Sequence, residues 1–142
     1  MKALYPVNLE RQPDGSILVS FPDVPEALTE GENEAAALRE AQDALIAALG
    51  GYIEARRPLP RPSKPARGQA LVALPPLVAA KLGLYQTMRE AGMTNSELAR
   101  RLGVTEAVVR RLLDLDHRSH IGQVEEALAV LGKRLVVEIQ AA

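Results

Sequence analysis

Residues 93–113 read MTNSELARRLGVTEAVVRRLL, and the stretch carries its own folding instructions. Thr94-Asn-Ser-Glu97 has the spacing of a capping box, in which the threonine oxygen accepts from the amide three residues on and the glutamate reaches back. A helix is predicted from there to Leu102. Gly103 suits the left-handed turn that ends it, and Thr105 is placed to cap a second helix from Glu106 to about Leu113. Two short helices cross sharply only where apolar and small side chains meet. Leu98, Leu102, Val104, Val109 and Leu112 supply the apolar set, and Ala99 the small contact. The pattern predicts a helix-turn-helix that binds operator double-stranded DNA. The competing reading is a helical hairpin used only for packing.

In a helix-turn-helix the second helix enters the major groove. Thr105, Glu106, Ala107, Arg110 and Arg111 lie on or near its outward face. Either arginine can pair with guanine, Glu106 can accept from cytosine, and the Ala107 methyl can touch thymine. The sequence leaves open which arginine reads a base and which holds a phosphate. Asn95 and Ser96 begin the first helix, where amides and side chains meet phosphates. Arg118, with Ser119, is expected on phosphate from the following loop. A metal would need Asp116, His117 and His120 to converge there. Mixed-charge loops usually stay solvated, so neither metal nor cofactor is expected.

Working outward, Pro75-Pro76 opens a helix over Leu77 to Ala91 that stops at Gly92, and Val124, Ala127, Leu128 and Leu131 form a closing helix capped by Gly132. Lys133 to Gln140 then alternates, with Leu135, Val137 and Ile139 on one face. A strand is predicted, paired with its copy in a second subunit.

Arg57-Pro-Leu-Pro-Arg-Pro-Ser-Lys-Pro65 is the likeliest divider in composition, because its four prolines remove donors and favour extended backbone. Before it, Ala3, Tyr5, Val7 and Leu9 alternate as a strand, with Pro6 suggesting a bulge or a sheet edge. Gln12-Pro-Asp-Gly-Ser16 turns into a second strand, Ile17 to Phe21, and Ala27 to Glu30 reads as a short third. Asn33 caps a helix whose apolar stripe is Leu38, Ala41, Leu45, Leu49, Tyr52 and Ile53. Its favourable end charges are Glu32 and Glu34 at the start and Arg56 and Arg57 at the end, and Gly50-Gly51 permits a kink. Gln69 to Leu74 is a further strand that can complete the first sheet. The expected domains are 1–74, containing the proline-rich segment 58–65, and 75–142.

Composition excludes several function classes. With one Phe, three Tyr and no Trp, the chain lacks the rings of a single-strand stacking platform. The absence of Cys removes disulfides and thiolate chemistry. No leader or membrane-length apolar run is seen, so a cytoplasmic protein is expected. The net charge of −1 conceals segregation: residues 1–58 carry five basic and ten acidic groups, residues 59–68 three basic ones, and residues 69–142 nine basic and eight acidic. So little positive charge on the DNA-reading half favours a homodimer or higher homo-oligomer that doubles the contacts.

The motifs Tyr5-Pro-Val7, Pro13-Asp-Gly15, Val19-Ser-Phe-Pro-Asp-Val-Pro25 and Leu28-Thr-Glu-Gly-Glu-Asn-Glu34, followed by an Ala/Leu-rich helix, resemble HicB antitoxins. From Ser96 to Ile139, Leu102-Gly-Val-Thr105, Arg110-Arg-Leu-Leu-Asp114 and Leu131-Gly-Lys-Arg-Leu135 resemble the phage-repressor-type (Xre-like) domain attached to one branch of that family. The resemblance implies an α+β chain: a partial RNase H-like β-β-β-α-β module, then an all-α helix-turn-helix domain with a C-terminal strand. It implies that the first module neutralises a HicA-type mRNA-cleaving toxin and that the second represses the toxin–antitoxin operon. Many relatives read Pro-Gly-Cys where this chain has Pro25-Glu26-Ala27, so that loop is expected to differ in shape.

RNase H chemistry needs carboxylates gathered around metal ions. Asp14, Asp23, Glu30, Glu32, Glu34 and Glu40 are not drawn together by any local pattern, and no His precedes position 117. A binding module rather than an enzyme is expected, with no catalytic residues. The rival readings are a stand-alone transcriptional regulator whose N-terminal domain binds a small ligand and, more weakly, a metal-dependent nuclease.

Overall fold

The structure is a computed structural model describing residues 2–142, and it divides after Pro75 into two compact units. The chain is mixed α+β. The N-terminal unit runs β1 (Leu4–Arg11), β2 (Ile17–Ser20), β3 (Leu28–Gly31), α1 (Glu34–Glu54) and β4 (Ala70–Ala73). Its sheet has the order β3-β2-β1-β4, and every neighbouring pair is antiparallel. The β1–β2 turn is closed by Asp14, whose carboxylate accepts from the Ser16 amide at 2.9 Å and hydroxyl at 2.6 Å.

Pro6 does not place β1 at an edge or in a bulge, as its sequence context suggested. The strand is interior, and Leu4 to Val7 pair in unbroken register with Ala73 to Ala70. The reason lies in the alternation of hydrogen bonds along an antiparallel ladder. Leu74 N donates to Ala3 O, which directs the bonding groups of Tyr5 and Val7 toward β4 and the nitrogen of Pro6 away from it. On that other side the β2 register begins only at Asn8, so the missing donor costs no ladder bond.

Tyr5, Val7, Ile17, Val19 and Val72 are buried on one sheet face, against the α1 stripe of Ala37, Ala41, Leu45 and Leu49. Close approach of helix to sheet depends on Gly31, where an added Cβ would lie 2.4 Å from Ala37 N. Asn33 caps α1 by accepting from Ala36 N at 2.9 Å. The helix continues through Gly50 and Gly51 to Glu54. Arg56 and Arg57 therefore fall beyond its last turn rather than within it. Arg56 adopts φ 56° and reverses the chain, and Arg57 stacks 4.2 Å from the centre of the Tyr52 ring, with its guanidinium 3.8 Å from Glu26. The Tyr52 hydroxyl lies 2.8 Å from both Glu26 carboxylate oxygens, and this bond holds the Glu26 carboxyl below its usual range. The loop that departs from the family pattern is thereby tied to the end of α1.

The proline-rich segment is tied down as well. Tyr5 donates its hydroxyl to Pro60 O at 2.9 Å, and Asp23 accepts from the Ser63 amide and hydroxyl at 2.9 and 3.0 Å. Gln69 accepts from Ala66 N and donates to Asn8, both at 2.7 Å.

The C-terminal unit contains α2 (Pro76–Ala91), α3 (Asn95–Leu102), α4 (Glu106–Leu113) and α5 (Ile121–Val130). Val78, Leu82, Leu84, Met88, Leu98, Val109, Leu112, Val124 and Ala127 form its core. Gly132 takes φ 76° just past α5. The strand expected over Lys133 to Gln140 is not formed: these residues have no regular structure, and Val136, Val137 and Ile139 are 76%, 68% and 95% exposed. Alternation alone does not make a strand, since a single extended segment has no ladder to join within its own unit. Among the described residues no helix is long and apolar enough to cross a membrane.

Burial, with a smaller contribution from Asp23, pushes the Tyr5 phenol up to about 12. Its ordinary value is about 10, so the unfolded chain gives up this proton first as pH rises. Stability should hold below pH 10 and decline from there toward pH 12. Tyr5→Phe should flatten that decline while costing about 1 kcal/mol at neutral pH through the lost bond, as urea titrations at several pH values would measure.

Candidate nucleic-acid interface

The α3–α4 pair is built by local capping. Thr94 takes extended backbone and its hydroxyl accepts from Glu97 N at 3.1 Å, starting α3. Gly103 ends it at φ 69°, ψ 32°, with its amide donating to Arg100 O at 3.2 Å and the Val104 amide to Ala99 O at 3.0 Å. Beneath the turn Leu98, Ala99, Val109 and Leu112 are buried, so the crossing is fixed by one small and several apolar contacts.

Thr105 departs from expectation. It stands at the N-cap of α4 in extended backbone, but its side chain makes no capping bond. The first amides of α4 are thus left without the side-chain acceptor that Thr94 gives α3, and Thr105 itself is exposed.

Of the predicted residues, Ser96, Thr105, Glu106, Arg110, Arg111 and Arg118 are exposed, and Asn95 and Ala107 are half-buried. Three come together as one chain of contacts. Ser96 donates its hydroxyl to Glu106 Oε2 at 3.3 Å, and Arg110 Nη1 lies 3.2 Å from Glu106 Oε1. This links the first turn of α3 to α4. Both ionic partners are about half exposed, so the pair itself adds only about 0.3–0.5 kcal/mol. The Arg111 guanidinium has no acidic partner among the described residues, although its carbonyl is heavily used.

Ser119 is not available to phosphate. It is buried, donates to Arg111 O at 3.3 Å and meets His117 Nδ1 at 3.1 Å. Only its neighbour Arg118 is displayed from this loop. His120 caps α5, its Nδ1 accepting from Gly122 N at 3.0 Å. The two histidines thus serve separate local bonds, and no group of three metal-ligating side chains is gathered among the described residues.

The residue that sequence reading missed is Lys81. It is wholly buried in α2, and its ammonium donates to Arg111 O at 2.9 Å, Asp114 O at 2.6 Å and His117 O at 2.7 Å. These carbonyls lie at and beyond the C-terminus of α4, where each also accepts one backbone amide: Asp114 N on Arg111 O, His117 N on Asp114 O and Ser119 N on His117 O. Burial lowers its pKa, opposed by the charges of Asp114 and Asp116. A signal did exist: Val78, Leu82, Tyr85 and Met88 share an apolar stripe in which Lys81 is the one interruption.

Lys81→Met keeps the apolar stem but removes the three charge-assisted bonds that tie α2 to the end of α4. It should destabilise the C-terminal unit by about 3 kcal/mol and lower its melting temperature by roughly 10–20 °C. Calorimetry on the full chain measures this, and an unchanged C-terminal transition would refute the bridging role.

The chain has close relatives along nearly its full length. A family described as "HicB_like antitoxin of bacterial toxin-antitoxin system" matches residues 4–83. "Antitoxin HicB 2" of Photorhabdus laumondii is 44% identical over 131 residues, covering 92% of each chain. "Antitoxin HicB" of Escherichia coli K12 is 40% identical across 92% of this chain and 95% of its own, and "Antitoxin HicB" of Pseudomonas fluorescens Pf0-1 is 40% identical across 97% and 94%. With its sheet-and-helix first unit inside the matched residues, this chain belongs to the HicB antitoxin family of bacterial toxin–antitoxin systems.

Proposed function

We propose that this chain neutralises a HicA-type mRNA-cleaving toxin with its N-terminal unit and represses its own operon through an Xre-like helix-turn-helix formed by α3 and α4. The observation that carries the DNA reading is the exposed row of Ser96, Thr105, Glu106, Arg110 and Arg111 above a buried crossing with a left-handed Gly103 turn. The β-β-β-α-β order of the first unit supports a partial RNase H-like fold serving as a binding module. Its excess of acidic groups over residues 1–58 suits a basic, RNA-binding partner. As an antitoxin it needs no catalytic group, and its carboxylates support that: Asp14 closes a turn, Asp23 holds Ser63 and Glu26 holds Tyr52. A small-ligand sensor is less well supported, because the groove between α1 and β4, lined by Leu38, Arg39, Gln42 and Leu71, is open rather than enclosing.

Arg111 is the better candidate for base contact, and Arg110, already held by Glu106, for a positioned contact shared with that carboxylate. The protein acts as a homodimer or higher homo-oligomer, with the tail that exposes Val136, Val137 and Ile139 ordering as a strand against its copy.

Fluorescence anisotropy with duplexes tiled across the region upstream of the gene tests repression. One duplex should bind, and Arg111→Ala should weaken it by about 1–3 kcal/mol and relax the preference at a single position. No preference for any duplex would refute the DNA reading. Co-expression with the adjacent small open reading frame should yield a copurifying toxin whose RNA cleavage is blocked. A chain ending at Gly132 should run as a monomer in size-exclusion chromatography, and an unchanged oligomer would remove the tail from the interface.

A further inference from the structure

We propose that Arg61, Lys64 and Arg67 form a docking strip for the phosphates of duplex DNA, separate from the α3–α4 surface. The inference rests on the DNA-binding reading above and adds a second, sequence-independent contact to it.

Charge segregation is the first observation. Between Glu54 and Glu90 the chain contains seven basic residues and not one carboxylate. The fold engages several of them: Arg57 lies over Tyr52, Lys81 is buried on carbonyls, and Arg89 faces the Tyr85 ring at 5.9 Å. Arg61, Lys64 and Arg67 are exposed and have no acidic partner among the described residues.

The second observation is how the segment is held. Its anchors are Pro60 O on Tyr5, Ser63 on Asp23, and Ala66 N on Gln69, which in turn holds Asn8. Anchors therefore recur at 60, 63 and 66, and each is followed immediately by a cation at 61, 64 or 67. Extended proline-rich backbone has three residues per turn and rises about 3.1 Å per residue. That period sets Arg61 and Lys64 at one phase beside their anchors, about 9 Å apart. Arg67 continues the row from the turn that Gln69 N closes on Ala66 O, with Gly68 at φ 84°. Pro58, Pro60, Pro62 and Pro65 fix φ along the segment, so little backbone freedom remains to be lost on binding.

A row of cations fits a polyanion. Duplex DNA carries one charge per about 1.7 Å of axis, so a strip of this length meets several phosphates without needing a particular base. A protein partner is less well matched, because protein interfaces centre on buried aromatic or aliphatic anchors. Residues 58–67 expose no large apolar side chain.

The test uses the full-length protein, its triple variant Arg61→Gln, Lys64→Gln, Arg67→Gln, and a separate Arg110→Ala, Arg111→Ala variant. Each is titrated against a random-sequence duplex of about 30 base pairs between 50 and 200 mM salt. The strip variant should keep the wild-type melting curve, since it removes no partnered group. Its slope of log affinity against log salt should be shallower by up to about 2.7, so that over this range it loses about 40-fold less affinity than the parent. An unchanged slope overturns the strip, including the case where the variant instead loses an acidic protein partner. A slope reduced by the strip variant but not by the helix variant keeps the strip and refutes the helix reading. The converse refutes the strip alone, and a wild-type chain that binds no duplex refutes both.

Discussion

The ammonium of Lys81 sits where no water reaches it, aimed at three backbone carbonyls at and beyond the end of α4. Burying a lone charge is costly, by several kcal/mol even after relaxation. Here each proton of the ammonium has an acceptor, the bonds are charge-assisted, and the negative end of the α4 dipole lies alongside. Three structures depend on the result. The last turn of α4 is held to α2, the loop 114–120 is drawn in by His117 O, and Ser119 is brought against Arg111 O. Without that anchor, the display of Arg110, Arg111 and Arg118 would have no fixed base.

The N-terminal unit solves a different problem, holding a long proline-rich segment against a small sheet. Proline supplies no donors, so the ties come from side chains on the sheet and its loops: Tyr5, Asp23 and Asn8. Glu26, in the loop where the family pattern is broken, joins Tyr52 and Arg57 in one more such tie. The acidic groups are thus partly consumed in ordering this unit. Those of α1 and its approaches remain on the surface to set its charge.

What was legible and what was not divides by range. The α3–α4 pair could be read because each signal acts within a few residues: Thr94 bonds the amide three positions on, and Gly103 adopts φ 69° on its own backbone. The same holds for Asn33 and the Asp14 turn. Reading failed where a local pattern needed a distant partner. Lys133 to Gln140 alternates but has no neighbouring strand in its unit, so the strand is absent from the single chain and its pairing is left to the second copy proposed for it. Pro6 looked like an edge marker, yet its consequence depended on where β2 stops pairing. Thr105 had the right type, place and backbone for a cap, yet its side chain makes no capping bond.

The Met93–Leu113 stretch therefore fixed, by sequence alone, two helices, their turn and the set of side chains turned outward, because caps, glycine conformation and helical periodicity are short-range effects. The tertiary structure decided what those side chains can do. It joined Arg110 and Ser96 through Glu106, left the Arg111 guanidinium with no acidic partner among the described residues, took Ser119 out of solvent, and set all of them on a buried lysine thirty residues away from Arg111 in sequence. The bonds of Lys81 pair groups that the chain brings together only after the C-terminal unit has packed, so no short window along the sequence contains both ends of them.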